Sequence, residues 1–559
     1  MSRRLTTAET CACLVLALLA PAASAPAGGK VYPLRWVYVS RSLTKDQDLA
    51  DVRRIVNTAA DHGLNGMVLT GLSSLDRRDA AYFRRLEAVK ALCGQRGVEI
   101  IPIIFSAGYG GAILGRDRNL AAGLAVRNAL FVAGDGRAQL VADPPVRIAN
   151  GGFEDHAGNR LKGFRFHDAP GKVSFVDTTV RRSGGASLRF DASAADRHGH
   201  ARVMQELAVR PHRCYRLTCW VKTDALAGGS FRLMVLAGKR TLAPFDPRVP
   251  ATTDWRKVTL GFNSLEFDKV RVYAGAWGAR GGRFWVDDLS IEEVGLVNVL
   301  RRAGTPVSVR DEQTGTTYEE GRDFAPIADP KLNFRFDHAG AAIKLLPGGR
   351  IRDGARLRVS WYHGVAINRG QISVCMSEPK VYDLWRRQAE LIHKHLAPKR
   401  YLLSMDEVRA GGSCEACKAR KMTMGEILGD CITRQHAILR KLNPKAEILV
   451  WSDMLDPNHN AHGDYYLVEG NFADSWKHVP KDLVIVCWYY KQRAKSLGHF
   501  SRLGFRTLAG AYYDADTLDN PKGWLAELDK TRGAVGILYT TWRNKYDLLG
   551  PFGDLVSKR

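Results

Sequence analysis

Two adjacent carboxylates, Asp406 and Glu407, close the apolar run Tyr401-Leu402-Leu403-Ser404-Met405 and are followed by Val408-Arg409. Neighbouring residues of a strand face opposite ways, so both acids share one pocket only if the strand ends there and twists out of its ladder. A pair so placed can do acid/base work, one carboxyl protonating a leaving oxygen while the other orients the reacting group. Four later apolar runs also end in aromatic and polar residues: Trp451-Ser452-Asp453, Trp488-Tyr489-Tyr490, Tyr512-Tyr513-Asp514 and Trp542-Arg543-Asn544. Packing explains any one tryptophan, but aromatics recurring at successive strand ends match what a sugar ring requires. Its C–H face stacks on aromatic rings, its hydroxyls take hydrogen bonds, and an acid protonates the glycosidic oxygen.

Such residues need a frame that gathers many strand ends. Residues 34–39, 66–70 and 98–105 read as strands, with helical spacing over 48–61 and 80–96 between them. After a long interruption the alternation resumes, with strands over 401–405, 447–451, 483–488, 506–512 and 536–539 and helices over 380–396 and 424–442. Strands alternating with helices across short turns imply parallel pairing, and eight strands close a barrel. The expected fold is therefore α/β, a (β/α)8 TIM barrel in two parts, 31–145 and 361–555, with its working face at the carboxyl ends of the strands. Between them, residues 148–295 show short alternating runs separated by glycines, which predict an inserted β-sandwich of jelly-roll type. Residues 296–360 form a further small β-rich segment, marked by Gly321-Arg322-Asp323-Phe324.

The stretches Asn150-Gly151-Gly152-Phe153-Glu154 and Phe284-Trp285-Val286-Asp287-Asp288-Leu289 resemble the two ends of jelly-roll carbohydrate-binding modules. That resemblance implies Glu154 and Asp287 as ligands of a structural calcium, beside the reading of both as surface acids. Residues 400–545 resemble the catalytic domain of family 20 glycoside hydrolases, the β-N-acetylhexosaminidases, in the order of Asp406-Glu407-Val408, Trp451-Ser452-Asp453, Trp488, Tyr512-Tyr513-Asp514 and Trp542. The resemblance implies Glu407 as general acid/base and Asp406 as the residue orienting the substrate's 2-acetamido group, which itself attacks the anomeric carbon. It implies a retaining, exo-acting hydrolase of a terminal N-acetylhexosamine-type sugar that needs no catalytic cofactor or metal. Tyr512 would donate to the acetamido oxygen, Trp451, Trp488 and Trp542 would wall the sugar, and Arg35, Asp453 and Asp514 complete the expected substrate-binding set. The chain departs from the family after the second strand, where only Asp76 stands in place of its His and Asp residues, and after the last tryptophan, where Asn544 replaces a Glu. Two alternatives remain: a glycosidase of other specificity using Asp453 or Asp514 as second carboxylate, and a non-catalytic glycan-binding protein on a degenerate barrel.

The 559 residues suffice for several domains. The net charge of +24 is spread along the chain without a nucleic-acid-binding signature, and it fits an acidic glycan or anionic surface better. Arg3 and Arg4, the apolar run 11–20 and the small residues Ala23-Ser24-Ala25 read as a signal peptide over 1–25, so a secreted or periplasmic protein is expected. That run is about half the ~20 residues of a membrane span. Cys414-Glu415-Ala416-Cys417 could be a redox pair, half a zinc site or a loop staple; with no second such motif or His pair nearby, a disulfide or idle thiols are the readings favoured over zinc. The loop 453–464, with two His and three Asp, is expected to be a substrate loop rather than a metal site, since Pro457 and its Asn residues preclude the helix that HxxH ligands ride on.

Overall fold

The computed structural model describes residues 29–559 except 246 and 369, so the leader expected over 1–25 lies outside the described residues. Eight parallel strands close a barrel: β1 (Leu34–Val39), β2 (Gly66–Leu69), β3 (Glu99–Ile104), β4 (Arg400–Leu403), β5 (Glu447–Trp451), β6 (Val484–Cys487), β7 (Arg506–Tyr512) and β8 (Ala534–Thr540). Leu34 of β1 pairs with Gly536 of β8 to complete the circle. Alternate residues fill the interior, among them Trp36, Val68, Ile101, Leu402, Leu449, Val486 and Leu538. The opposite faces pack outward into the helix layer, where Val37 and Met67 share a core with Val52 and Ile55 of the helix Asp46–Asp61.

An α-helix follows every strand except β5. There the chain passes through 3-10 turns at Asp453–Leu455 and Ser475–Lys477, and a short strand, Leu467–Val468, pairs with Ala410–Gly411 beyond β4. Pro457 and the asparagines around it explain why no helix forms.

Residues 166–293 form two antiparallel five-stranded sheets packed face to face, with Phe190 and Phe284 stacked at 4.7 Å in the core. Asp287 accepts the backbone N–H groups of Arg182 and Asp288, and Glu154 accepts that of Gly185, so backbone donors hold both carboxylates implied as calcium ligands. A third sheet of six strands corrects the expected division of the chain. Leu124–Gly134 and Arg137–Leu140, expected within the first part of the barrel, pair instead with Arg356–His363 and Ile343–Lys344. The last strand of the first barrel part therefore ends at Ile104, and Phe105 leaves the ladder with a positive φ of 59°.

Candidate active site

The carboxyl ends of the barrel strands open into a cavity of about 1090 Å3, and both Asp406 and Glu407 line it. β4 ends at Leu403, and the left-handed backbone of Glu407, φ 49°, turns its side chain to the same side as that of Asp406. The turn passes close over Gly108: any Cβ there would lie 2.1 Å from the Asp406 carbonyl oxygen, which requires glycine.

Glu407 is held on four sides. Its N–H donates to Asp453 Oδ2 at 2.9 Å, and its carbonyl accepts from Gln371 Nε2 at 2.7 Å. Arg409 Nη2 lies 2.8 Å from its Oε1, and the Tyr109 hydroxyl donates to its Oε2. Arg409 in turn donates to Gln371 Oε1, so the two residues gripping Glu407 also grip each other. Asp406 accepts from Ser404 Oγ at 2.9 Å. Burial, and then the charge of Glu407, push its carboxyl up to about 6.

Asp453 is fully buried and does not line the cavity. It accepts from Glu407 N, Asn460 Nδ2 and Trp488 Nε1 at 2.9, 3.0 and 3.3 Å, so its place is beneath the acid pair rather than against a substrate. Burial, and then the charge of Asp406, push its carboxyl up to about 8.

Aromatic rings wall the cup. Trp542 meets Tyr38, Tyr513 and Trp451 at centroid distances of 5.2, 6.1 and 6.2 Å, and Trp488 lies parallel to Tyr513. Among the described residues five large apolar side chains are exposed, and three of them, Tyr109 (47%), Tyr513 (47%) and Trp542 (45%), line this cavity. Asp514 lines it too, while its carboxylate accepts from Trp542 N and Thr541 Oγ1 and so fixes the turn that carries Trp542.

Besides Asp453, two further expected substrate-binding residues lie off the cavity. Arg35 sits at the amino end of β1, the opposite end of the barrel, where its guanidinium donates to the carbonyls of Gly63 and Tyr32. Tyr512 is buried outside the cup and stacks on Tyr539 at 4.1 Å. Strict alternation from the inward-facing Leu508 would turn 512 inward, but residues 512, 513 and 514 all have positive φ, and the chain swings Tyr513 into the cup instead. Gly510 keeps the interior position free, since a Cβ there would press on Trp451 and Trp488 at 3.3 and 3.2 Å.

The loop 453–464 does not line the cavity. His459 stacks on Tyr489 at 4.5 Å and meets Trp488 at 4.4 Å, so the loop buttresses the aromatic wall; burial holds its imidazole down at about 4. Asp76 is paired with Arg116, and Asn544 accepts from Arg41. Arg543 lines the cup, as does Arg232, which comes from the sandwich strand Ser230–Ala237.

No protein-family profile matches the sequence, and no curated protein does. Among solved structures, a chitobiase of Flavobacterium johnsoniae is similar over 94% of this chain and 51% of its own, with 8% identity and a TM-score of 0.34. A rhamnosidase of Novosphingobium sp. PP1Y is similar over 91% of this chain and 55% of its own, with 9% identity and a TM-score of 0.32. The chain thus spans about half the length of each. A family 16 carbohydrate-binding module matches 26% of the chain over 97% of its own length, with 19% identity and a TM-score of 0.21.

Five residues that the sequence reading did not assign join the site, Tyr38, Tyr109, Gln371, Arg409 and Arg232, and four of them carry no sequence signal of their own. Tyr38 alone had one available, as the last inward-facing residue of β1.

Proposed function

We propose that this protein is an exported glycoside hydrolase that removes a terminal sugar in the barrel's cup. Glu407 protonates the glycosidic oxygen and later activates water, and Asp406 orients the substituent on the sugar's second carbon. The observation that carries the reading is the Glu407 carboxylate in an open aromatic cup, with one oxygen paired to buried Arg409 and the other to the exposed hydroxyl of Tyr109. When Glu407 carries its proton on the oxygen beside Tyr109, that O–H can donate to a glycosidic oxygen while the Tyr109 hydroxyl and Arg409 stay in place. Asp406, with its raised pKa, accepts a polar hydrogen from the substrate readily, as an acetamido N–H would require. Substrate-assisted, retaining hydrolysis of an N-acetylhexosaminide is the finer reading we favour, with Tyr513 rather than Tyr512 as the tyrosine facing the sugar.

Asp453 serves poorly as a second catalytic carboxylate because it is fully buried and already accepts three N–H donors. The test is a panel of 4-nitrophenyl N-acetylglucosaminides, N-acetylgalactosaminides and their non-acetylated counterparts, assayed with the wild type and Glu407→Gln. Turnover confined to the acetamido sugars and lost in the variant supports the proposal. Full activity of Glu407→Gln refutes it, and glycan binding without turnover of any substrate assigns the barrel to recognition alone.

A further inference from the structure

Outside the barrel interior lie three buried free thiols that the proposed hydrolysis does not use, those of Cys375, Cys414 and Cys417. Their sulfurs form a nearly equilateral triangle, with Cys375 to Cys414 at 3.5 Å, Cys375 to Cys417 at 3.7 Å and Cys414 to Cys417 at 3.6 Å. Zinc–sulfur bonds of about 2.3 Å set tetrahedrally place sulfurs about 3.8 Å apart, whereas a planar three-coordinate ion at that bond length would spread them to about 4.0 Å. We propose that Cys375, Cys414 and Cys417 bind one zinc(II) ion that ties the segment re-entering the barrel to the loop following Asp406-Glu407.

Two further features fit a metal. Three thiolates around zinc(II) leave one net negative charge, and the nearly buried guanidinium of Arg302 stands against the cluster, its Nη2 3.7 Å from Cys414 Sγ. Glu378 pairs with Arg302 Nε at 3.0 Å on its other side. A cavity of about 10 Å3 also touches all three cysteines, with Met424 and Gly412 in its wall, which is room for about one water-sized fourth ligand. Met424 and the backbone around Gly412 offer no competing strong ligand, so the three sulfurs define the site.

The chain prepares the triangle locally. Cys414 opens a single helical turn, Glu415–Lys418, in which Cys417 N and Lys418 N both bond to the Cys414 carbonyl at 3.0 Å, and this brings the two sulfurs together. Cys375 arrives from another part of the chain, its N–H bonded to the Leu120 carbonyl. It follows Gln371 by four residues, and Cys414 follows Arg409 by five. Gln371 and Arg409 are two of the four residues that hold Glu407, so the ion would fasten both of these.

Metal content of the full-length exported protein, purified without chelators, tests this directly. Plasma mass spectrometry should find about one zinc per chain, retained in Cys431→Ser, a buried cysteine outside the cluster, and lost in Cys375→Ser and Cys414→Ser. Should those variants fail to fold, the wild type itself decides: after chelation, reduction and reconstitution with cobalt(II), thiolate-to-cobalt charge-transfer absorption should appear at one equivalent. Substoichiometric zinc together with no cobalt–thiolate band, or a Cys414–Cys417 disulfide in the unreduced protein by peptide mapping, would overturn the assignment. These readouts do not depend on glycosidase activity.

Discussion

The N–H of Glu407 donates to Asp453 Oδ2 at 2.9 Å, so a carboxyl buried at the end of β5 fixes the backbone of the acid at the mouth of β4. The relationship is electrostatically costly. Asp453 accepts three N–H donors that favour its charged form, yet burial and the charge of Asp406 outweigh them and favour the proton.

Stability should therefore fall as pH rises across the neutral range. An unfolded Asp titrates near ~3.9, and in the fold Asp453 is raised to about 8. Between those values the native chain binds more protons than the unfolded one, so the group's contribution is complete below the lower value and is lost progressively up to the higher. Asp406, raised to about 6, acts in the same direction over the lower part of that window. Thermal melts at pH 5 and pH 8.5 should show a smaller difference in Tm for Asp453→Asn than for the wild type. Equal pH dependence in the two proteins would contradict the buried, protonated carboxyl.

Tyr109 makes the second prediction. Its hydroxyl donates to a Glu407 carboxylate oxygen, and a hydrogen bond to a charged group at so exposed a site falls at the low end of its usual range, about 1.5 kcal/mol or roughly tenfold. Tyr109→Phe should lower kcat/KM on the preferred glycoside about tenfold while leaving Tm nearly unchanged, because the ring is half exposed. An effect confined to Tm would make the contact structural only.

The third separates two neighbouring tyrosines. Tyr513 faces the cup and Tyr512 stacks on Tyr539 outside it. Tyr513→Ala should raise KM several-fold by removing a stacking wall, and Tyr512→Phe should leave both kinetic constants within about twofold of the wild type. The reverse pattern would mean that the chain turns differently after β7.

The same pair marks what a sequence can carry about this site. All eight barrel strands announce themselves as apolar runs, because a parallel strand buried on both faces leaves a local signature. So do Asp406-Glu407 and the tryptophans that close such runs. Strict alternation fails at Tyr512, where three consecutive left-handed residues, stabilised by Tyr512 N donating to Asn520 Oδ1 and Tyr513 N to the Thr540 carbonyl, rotate the next ring inward. Arg35 fails differently: only the start of β1 at Leu34 decides which end of the barrel it occupies. Contacts across long separations leave no local trace at all. Leu124–Gly134 finds its partner strand more than two hundred residues on, and Cys375 meets Cys414 only because the chain re-enters the barrel beside it.

Arg232 supplies the last prediction, because it connects the two largest units of the chain. It belongs to the sandwich strand Ser230–Ala237 yet lines the barrel's cup, and Arg240, one strand further on, fastens the sandwich to the barrel by donating to the Tyr466 carbonyl at 2.6 Å and to that of Val468. The sandwich thus brings a cation to the rim of the cup, where Arg543 adds a second. Under the proposed function, a group at that rim would meet the outer part of the glycan, away from Glu407, and would stabilise ground state and transition state alike. Arg232→Ala should raise KM about five- to tenfold, roughly 1 to 1.4 kcal/mol, with kcat changed less than about twofold. The loss should be larger at low ionic strength, and larger for a glycan bearing carboxylate or sulfate groups, since salt screens an exposed charge. A fall in kcat at constant KM would instead place the guanidinium at the reacting centre, and no change in either constant would confine the sandwich to bracing the barrel.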